Sequence, residues 1–203
     1  MKIDKYEKIG SSKYRLFLSN GEVIDTYDNV ILNLDLLLKS DISISDYNKI
    51  LNDTVIYDKY NACLKYIQVR VRSIKEIRDY LKRKNASDEE IEIIIDKLIA
   101  SGNLNDDYFV SCFIKDKLRF TSWGPYKVLN ELKKHNIDSD IINKYLYLFD
   151  DTVVRDKLDR LIDKQINSNR KDSNMKLKNK LYNNFMRLGY KSGMILDILN
   201  YKL

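Results

Sequence analysis

Ser73–Leu98 reads SIKEIRDYLKRKNASDEEIEIIIDKL, and the reading of this stretch decides the fold. Ile77 and Leu81 lie four apart, the spacing that sets two side chains on one helical face. Ser87-Asp88-Glu89-Glu90 then interrupts the chain with a capping box, where serine and glutamate satisfy each other's orphan backbone amides. Ile91, Ile94, Ile95 and Leu98 lay out a second apolar face. The same arrangement is written twice more: Val128 and Leu132 precede Ile142 and Leu146, and Leu181 and Phe185 precede Ile195 and Leu199. Positions 81, 132 and 185 stand 51 and 53 residues apart. A recurrence of this length signals tandem structural units that bury their apolar faces on their neighbours. The chain is therefore expected to be mainly α, with three tandem three-helix repeats in an elongated curved array. Such a surface suits a large partner better than a small ligand.

Working outward, the first ~27 residues read as strands. Tyr14, Leu16 and Leu18 alternate, Asn20-Gly21 supplies a tight hairpin turn, and Val23 and Ile24 begin the return strand. Helical spacing over Asp28–Lys39 uses Val30, Ile31, Leu34, Leu37 and Leu38, and a second helix is expected from Ser45 to about Asp53. Residues 1–55 are thus read as an N-terminal extension of β-hairpin plus helices, 56–104 as the first repeat, 105–150 as the second and 151–203 as the third. Ser73 and Glu76 form a further capping box, Asp106 is read as an N-cap, and Gly124-Pro125 opens a helix with proline where no amide is missed. Asn167–Ser173 reads as a polar, flexible joint.

The net charge of +6 is unevenly placed. Residues 151–203 carry twelve Lys or Arg against six Asp, which makes the last third the basic one. This asymmetry fits nucleic acid or a mixed-charge protein partner. One proline and six glycines argue against a β-sandwich or a disordered chain. The start, Met1-Lys2-Ile3-Asp4-Lys5, has no apolar core of a secretory signal, and Val30–Leu38 is too short to span a bilayer. A cytoplasmic protein with free thiols is expected.

Three strings resemble the RecX family, the regulatory proteins of the RecA recombinase. Arg72-Ser73-Ile74-Lys75-Glu76-Ile77, running on to Tyr80-Leu81, is similar to the Arg-Ser-x-x-Glu-Leu stretch of the family's first repeat. Gly102-Asn103-Leu104-Asn105-Asp106-Asp107-Tyr108-Phe109 resembles the segment joining repeats one and two. Gly124-Pro125-Tyr126-Lys127-Val128, with Glu131-Leu132-Lys133-Lys134 and Ile137, resembles the family's Gly-Pro helix. Asn105 and Trp123 depart from the family pattern, where aspartate and a basic residue are commoner. The third repeat is similar by periodicity more than by signature. The resemblance implies a non-enzymatic regulator, without cofactor or metal, in DNA repair, recombination and the SOS response. It implies binding along the groove of a RecA–DNA filament and modulation, usually inhibition, of strand exchange and ATP hydrolysis.

Basic side chains are the candidate contact residues. Lys65, Arg70, Arg72, Lys75, Arg78 and Lys82 fall on two helices and their junction, and Arg72, Lys75, Arg78 and Lys82 are read as one stripe. Lys115, Arg119, Lys127, Lys133 and Lys134 form a second set. Lys176, Lys178 and Lys180, with Arg170 and Lys171, form a third. The plain alternative is a solvated helix face. RecA is the expected partner, with direct contact to single-stranded or duplex DNA left open, no membrane, and a monomer in solution. A sequence-independent DNA-binding module acting without RecA is the rival reading; an enzyme ranks last. His135 has no neighbouring nucleophile pattern, Cys63 and Cys112 read as buried inert thiols, and the Asp106-Asp107 and Asp150-Asp151 pairs lack a ligand loop.

Overall fold

The computed structural model describes residues 1–39, 41–169 and 173–203. Three antiparallel strands, β1 (Ile3–Lys8), β2 (Lys13–Leu18) and β3 (Val23–Tyr27), form a sheet with β2 in the centre. Leu16 pairs with Tyr6 and Ile24, and Gly21 makes the β2–β3 turn at φ 88°. Helices follow to the end of the chain: α1 (Asp28–Asn33), α2 (Ile44–Val69), α3 (Ile74–Arg83), α4 (Asp88–Ala100), α5 (Asp106–Phe120), α6 (Pro125–Lys133), α7 (Ser139–Asn143), α8 (Asp151–Ser168), α9 (Asn174–Arg187) and α10 (Ser192–Lys202). The chain is mainly α, and its helices come in tandem triplets behind a small N-terminal sheet. No helix among the described residues is long and apolar enough to cross a membrane.

The repeat extends to the backbone. Four residues after Leu81, Leu132 and Phe185, the chain turns through positive φ at Asn85 (55°), Asn136 (53°) and Gly189 (86°). Asparagine and glycine tolerate this left-handed region, and each ends a middle helix. Ile77, Leu81, Val128, Leu132, Leu181 and Phe185 are all buried, as are Ile91, Ile142 and Ile195. Burial of each such side chain contributes about 1.5–3 kcal/mol. The next position breaks the symmetry: Ile95 and Leu199 are buried, whereas Leu146 is 41% exposed. α7 stops at Asn143, and a 3₁₀ turn over Leu146–Leu148 replaces the continuous helix that the spacing of Ile142 and Leu146 implies.

The chain divides into two compact units, residues 1–70 with 77–103, and residues 71–76 with 104–203. In the first, the sheet packs on α2 through Thr26 and Thr54, whose hydroxyls lie 2.6 Å apart, and through Tyr27, which donates to Asp58. Farther along α2, Lys59 pairs with Glu90 of α4 at 2.6 Å. The helix break expected near Asp53 is absent. No glycine or proline interrupts Ile44–Val69, and the Thr54 hydroxyl donates to the Ile50 carbonyl within the continuous helix. Its start is a capping box of Ser43 and Asp46. The helix expected over Asp28–Lys39 is also interrupted. Asp35 turns left-handed, so Leu36 is buried while Leu37 and Leu38 are exposed.

The second unit has two apolar cores. Phe109, Val110, Ile114, Val128 and Leu132 centre the α5–α7 core. Val154, Leu158, Ile162, Leu181, Phe185 and Ile195 centre the α8–α10 core. The two cores meet through backbone. Gly124 N–H donates to the Leu188 carbonyl at 2.7 Å, and Tyr126 N–H donates to the Gly189 carbonyl at 3.1 Å. Pro125, between them, has no amide to satisfy. The start of α6 is thereby capped by carbonyls from the end of α9, which pairs the positive pole of one helix with the negative pole of the other.

Candidate partner-binding surface

Helix starts position the charged residues. Ser73 caps α3: its Oγ accepts from Glu76 N–H and its own N–H donates to Glu76 Oε2, each at 3.2 Å. A second acceptor comes from farther along the chain, because Asp106 Oδ1 takes the Ile74 amide at 2.8 Å. Burial pushes the Asp106 carboxyl above its ordinary pKa, against the opposing pull of the Ile74 amide. Asp106 is therefore not the N-cap of its own helix. Asn105 fills that role, accepting from the Asp107 and Tyr108 amides. His135 Nδ1 lies 2.8 Å from Ser73 Oγ, and its ring packs on Phe109 and Phe113. The single histidine thus helps hold the entry to α3.

The first basic set is divided between the units. Lys65, Arg70, Arg78 and Lys82 belong to the first, Arg72 and Lys75 to the second. Arg72 precedes α3, with its Nη1 3.8 Å from Glu76. Arg78 makes a forked pair with Glu92 of α4, which holds that carboxyl below its ordinary pKa. Glu76 and Glu92 therefore offset part of this set. Lys65 and Lys82 are exposed and make no ion pair among the described residues.

In the second set, Lys134 pairs with Glu131 at 2.7 Å, Lys133 is exposed in the last turn of α6, and Lys127 lies over the Trp123 ring at 4.8 Å. Lys115 and Arg119 are exposed on α5. In the third, Lys176 is exposed, Lys178 is half-buried, and Lys180 donates to Asn169 at 2.7 Å. Arg170 and Lys171, which with residue 172 form the middle of the expected joint, lie outside the described residues.

Three cations escaped the sequence reading. Lys157, Arg160 and Lys164 of α8 line one cleft with Lys115 and Arg119 of α5. Their recurrence at i, i+3 and i+7 was a signal, hidden by interleaved Asp156, Asp159 and Asp163. The helix separates the charges by face, and Asp159 and Asp163 pair with Lys202 instead. Lys157 Nζ donates to the Trp123 carbonyl at 2.8 Å and, more weakly, to the Lys117 carbonyl at 3.4 Å. Burial pulls its pKa down to about 8.

Two family models match the chain in order. The first three-helix domain of RecX matches residues 60–98, and the second matches residues 105–146. Regulatory protein RecX of Oceanobacillus iheyensis is 27% identical over 199 residues, covering 95% of this chain and 73% of that protein. Its counterpart in Halalkalibacterium halodurans is 28% identical over 193 residues, covering 93% and 73%. Over residues 60–98 and 105–146 the chain is similar to the three-helix domains of RecX proteins. A crystal structure of RecX from Lactobacillus salivarius aligns with 72% of this chain and 95% of its own at TM-score 0.63 and 27% identity. Another regulatory protein RecX shares the fold across 99% of this chain, at TM-score 0.83 and 19% identity. The first match begins inside α2, so the RecX domain and the N-terminal sheet share one helix. The RecX domain boundary between residues 98 and 105 falls at Gly102, whose φ of 71° ends α4.

Among the described residues, no group of three or more His, Cys, Asp or Glu side chains could hold a metal ion. Cys63 is buried, and its thiol is pushed up to about 12; Cys112 is half-buried, and both are free.

Proposed function

We propose that this chain regulates a RecA-type recombinase without itself being an enzyme. It binds along the groove of the RecA–DNA filament and lowers strand exchange and ATP hydrolysis. The observation that carries this reading is the ordered pair of RecX domain matches on residues 60–98 and 105–146. The division into residues 1–55, 56–104, 105–150 and 151–203 supplies three successive helix triplets as contact modules. Contact with more than one protomer would restrict the filament's change of state, and occupation of the groove would obstruct incoming duplex. Lys65, Lys82, Lys115 and Arg119 are the first contact candidates, because exposed cations can pair with carboxylates or phosphates. The protein works as a cytoplasmic monomer without a cofactor. Co-sedimentation tests this reading: the chain pellets with RecA on single-stranded DNA and stays in the supernatant with DNA alone. Equal pelleting without RecA would overturn it.

A rival reading is sequence-independent DNA binding, favoured by Lys176 and Lys178, which make no ion pair among the described residues. It requires RecA-independent binding whose logarithmic affinity falls steeply with salt, by a slope of roughly 0.9 per neutralised phosphate on duplex DNA.

A further inference from the structure

The cleft between α5 and α8 joins two properties that seldom share a surface. Its rim carries Lys115, Arg119, Lys157, Arg160 and Lys164, and its floor is Leu118, Leu148, Val153 and Leu161. All nine lie in the second compact unit. The volume is about 630 Å³, within the roughly 300–1,000 Å³ of ligand-holding clefts.

None of the five cations has an ion-pair partner among the described residues. Three of the four aspartates of α8 are engaged elsewhere: Asp159 and Asp163 with Lys202, and Asp151 with Lys191. Lys157 is held in place by the Trp123 and Lys117 carbonyls. An ammonium has three donors, so one remains for an incoming acceptor. The Arg160 Nε–H donates to the Asp156 carbonyl, which leaves the two terminal nitrogens of its guanidinium for a carboxylate.

The floor decides the class of partner. Binding of a single-stranded nucleic acid relies on aromatic platforms for its bases, and the apolar side chains lining this cleft are all aliphatic, with no ring among its lining residues. A phosphate backbone alone would leave the floor unfilled. A helix with leucine-like anchors on one face and carboxylates flanking them satisfies both parts, as in groove recognition of amphipathic helices. We propose that the α5–α8 cleft docks an acidic amphipathic helix of a partner protein. Its aliphatic side chains sit on Leu118, Leu148, Val153 and Leu161 while its carboxylates meet the five cations.

This docking goes beyond the recombinase reading and is tested without recombinase, so either can fail alone. The assay is fluorescence anisotropy of the full chain with a labelled helical peptide carrying leucine at i, i+3, i+4 and i+7 and glutamate between. Controls replace every glutamate by glutamine, or every leucine by serine, and a labelled oligothymidylate matches the peptide's net charge. The leucine–glutamate peptide is expected to bind most tightly. The double variant Arg160→Glu/Lys164→Glu weakens it about tenfold or more. Val153→Asp does likewise; Val153 is 54% exposed, so the fold survives the change. No binding of the leucine–glutamate peptide, equal binding of either control peptide, tighter binding of the oligonucleotide, or indifference to both variants overturns the proposal.

Discussion

At the residue scale, Gly189 leaves no room for a side chain. A Cβ on Gly189 would stand 2.4 Å from the Lys127 amide nitrogen, and Gly189 already has φ 86°. Gly189→Ala is therefore expected to cost about 2–5 kcal/mol, from left-handed strain and overpacking together. Urea unfolding measures it, and a loss below about 1 kcal/mol would contradict the close approach. Lys157 gives a pH test. Its folded pKa is lowered to about 8 from 10.5, so between those values the unfolded chain binds more protons than the folded one. Stability relative to Lys157→Gln should then rise as pH increases through that window, and the full cost of burying the charge is present below pH 8. A flat difference across pH 7–11 would contradict the burial.

At the element scale, the local signals were readable and the distant ones were not. Ser73–Glu76 and Ser87–Glu90 are capping boxes in the structure because both partners sit three residues apart. Asp106 misled because its carboxylate serves Ile74, 32 residues earlier, a pairing no window of sequence displays. Hydrogen exchange separates the two acceptors: Asp106→Ala should speed exchange of the Ile74 amide, whereas Asn105→Ala should speed that of Asp107 and Tyr108. Each change should cost about 1 kcal/mol, and the reverse pattern would restore Asp106 as the cap of α5. The continuity of α2 was hidden for another reason. Its first part faces the sheet and its second part faces α4, so the apolar periodicity resets mid-helix without a breaker. The α8 cations were obscured by aspartates that alternate in sequence yet occupy another face of the helix.

For the whole molecule, the triplicate register was the most readable feature, since it rests on spacing that every stacked copy must keep. The second triplet departs from it at α7, where Leu146 is exposed and the following 3₁₀ turn supplies Leu148 to the cleft. The contact set also changes with structure. Arg72 and Arg78 lie against Glu76 and Glu92, so reversing their charge would juxtapose like charges within the fold. Lys65→Glu/Lys82→Glu and Lys115→Glu/Arg119→Glu instead alter exposed positions. Each pair should weaken co-sedimentation with RecA filaments about tenfold while circular dichroism stays unchanged; full binding by both would make these faces solubilising only.

The most direct test of the central claim is steady-state ATP hydrolysis by RecA on single-stranded DNA, titrated with this chain. The account predicts a saturable fall in rate at substoichiometric to stoichiometric chain. A rate that stays constant across the titration would contradict it.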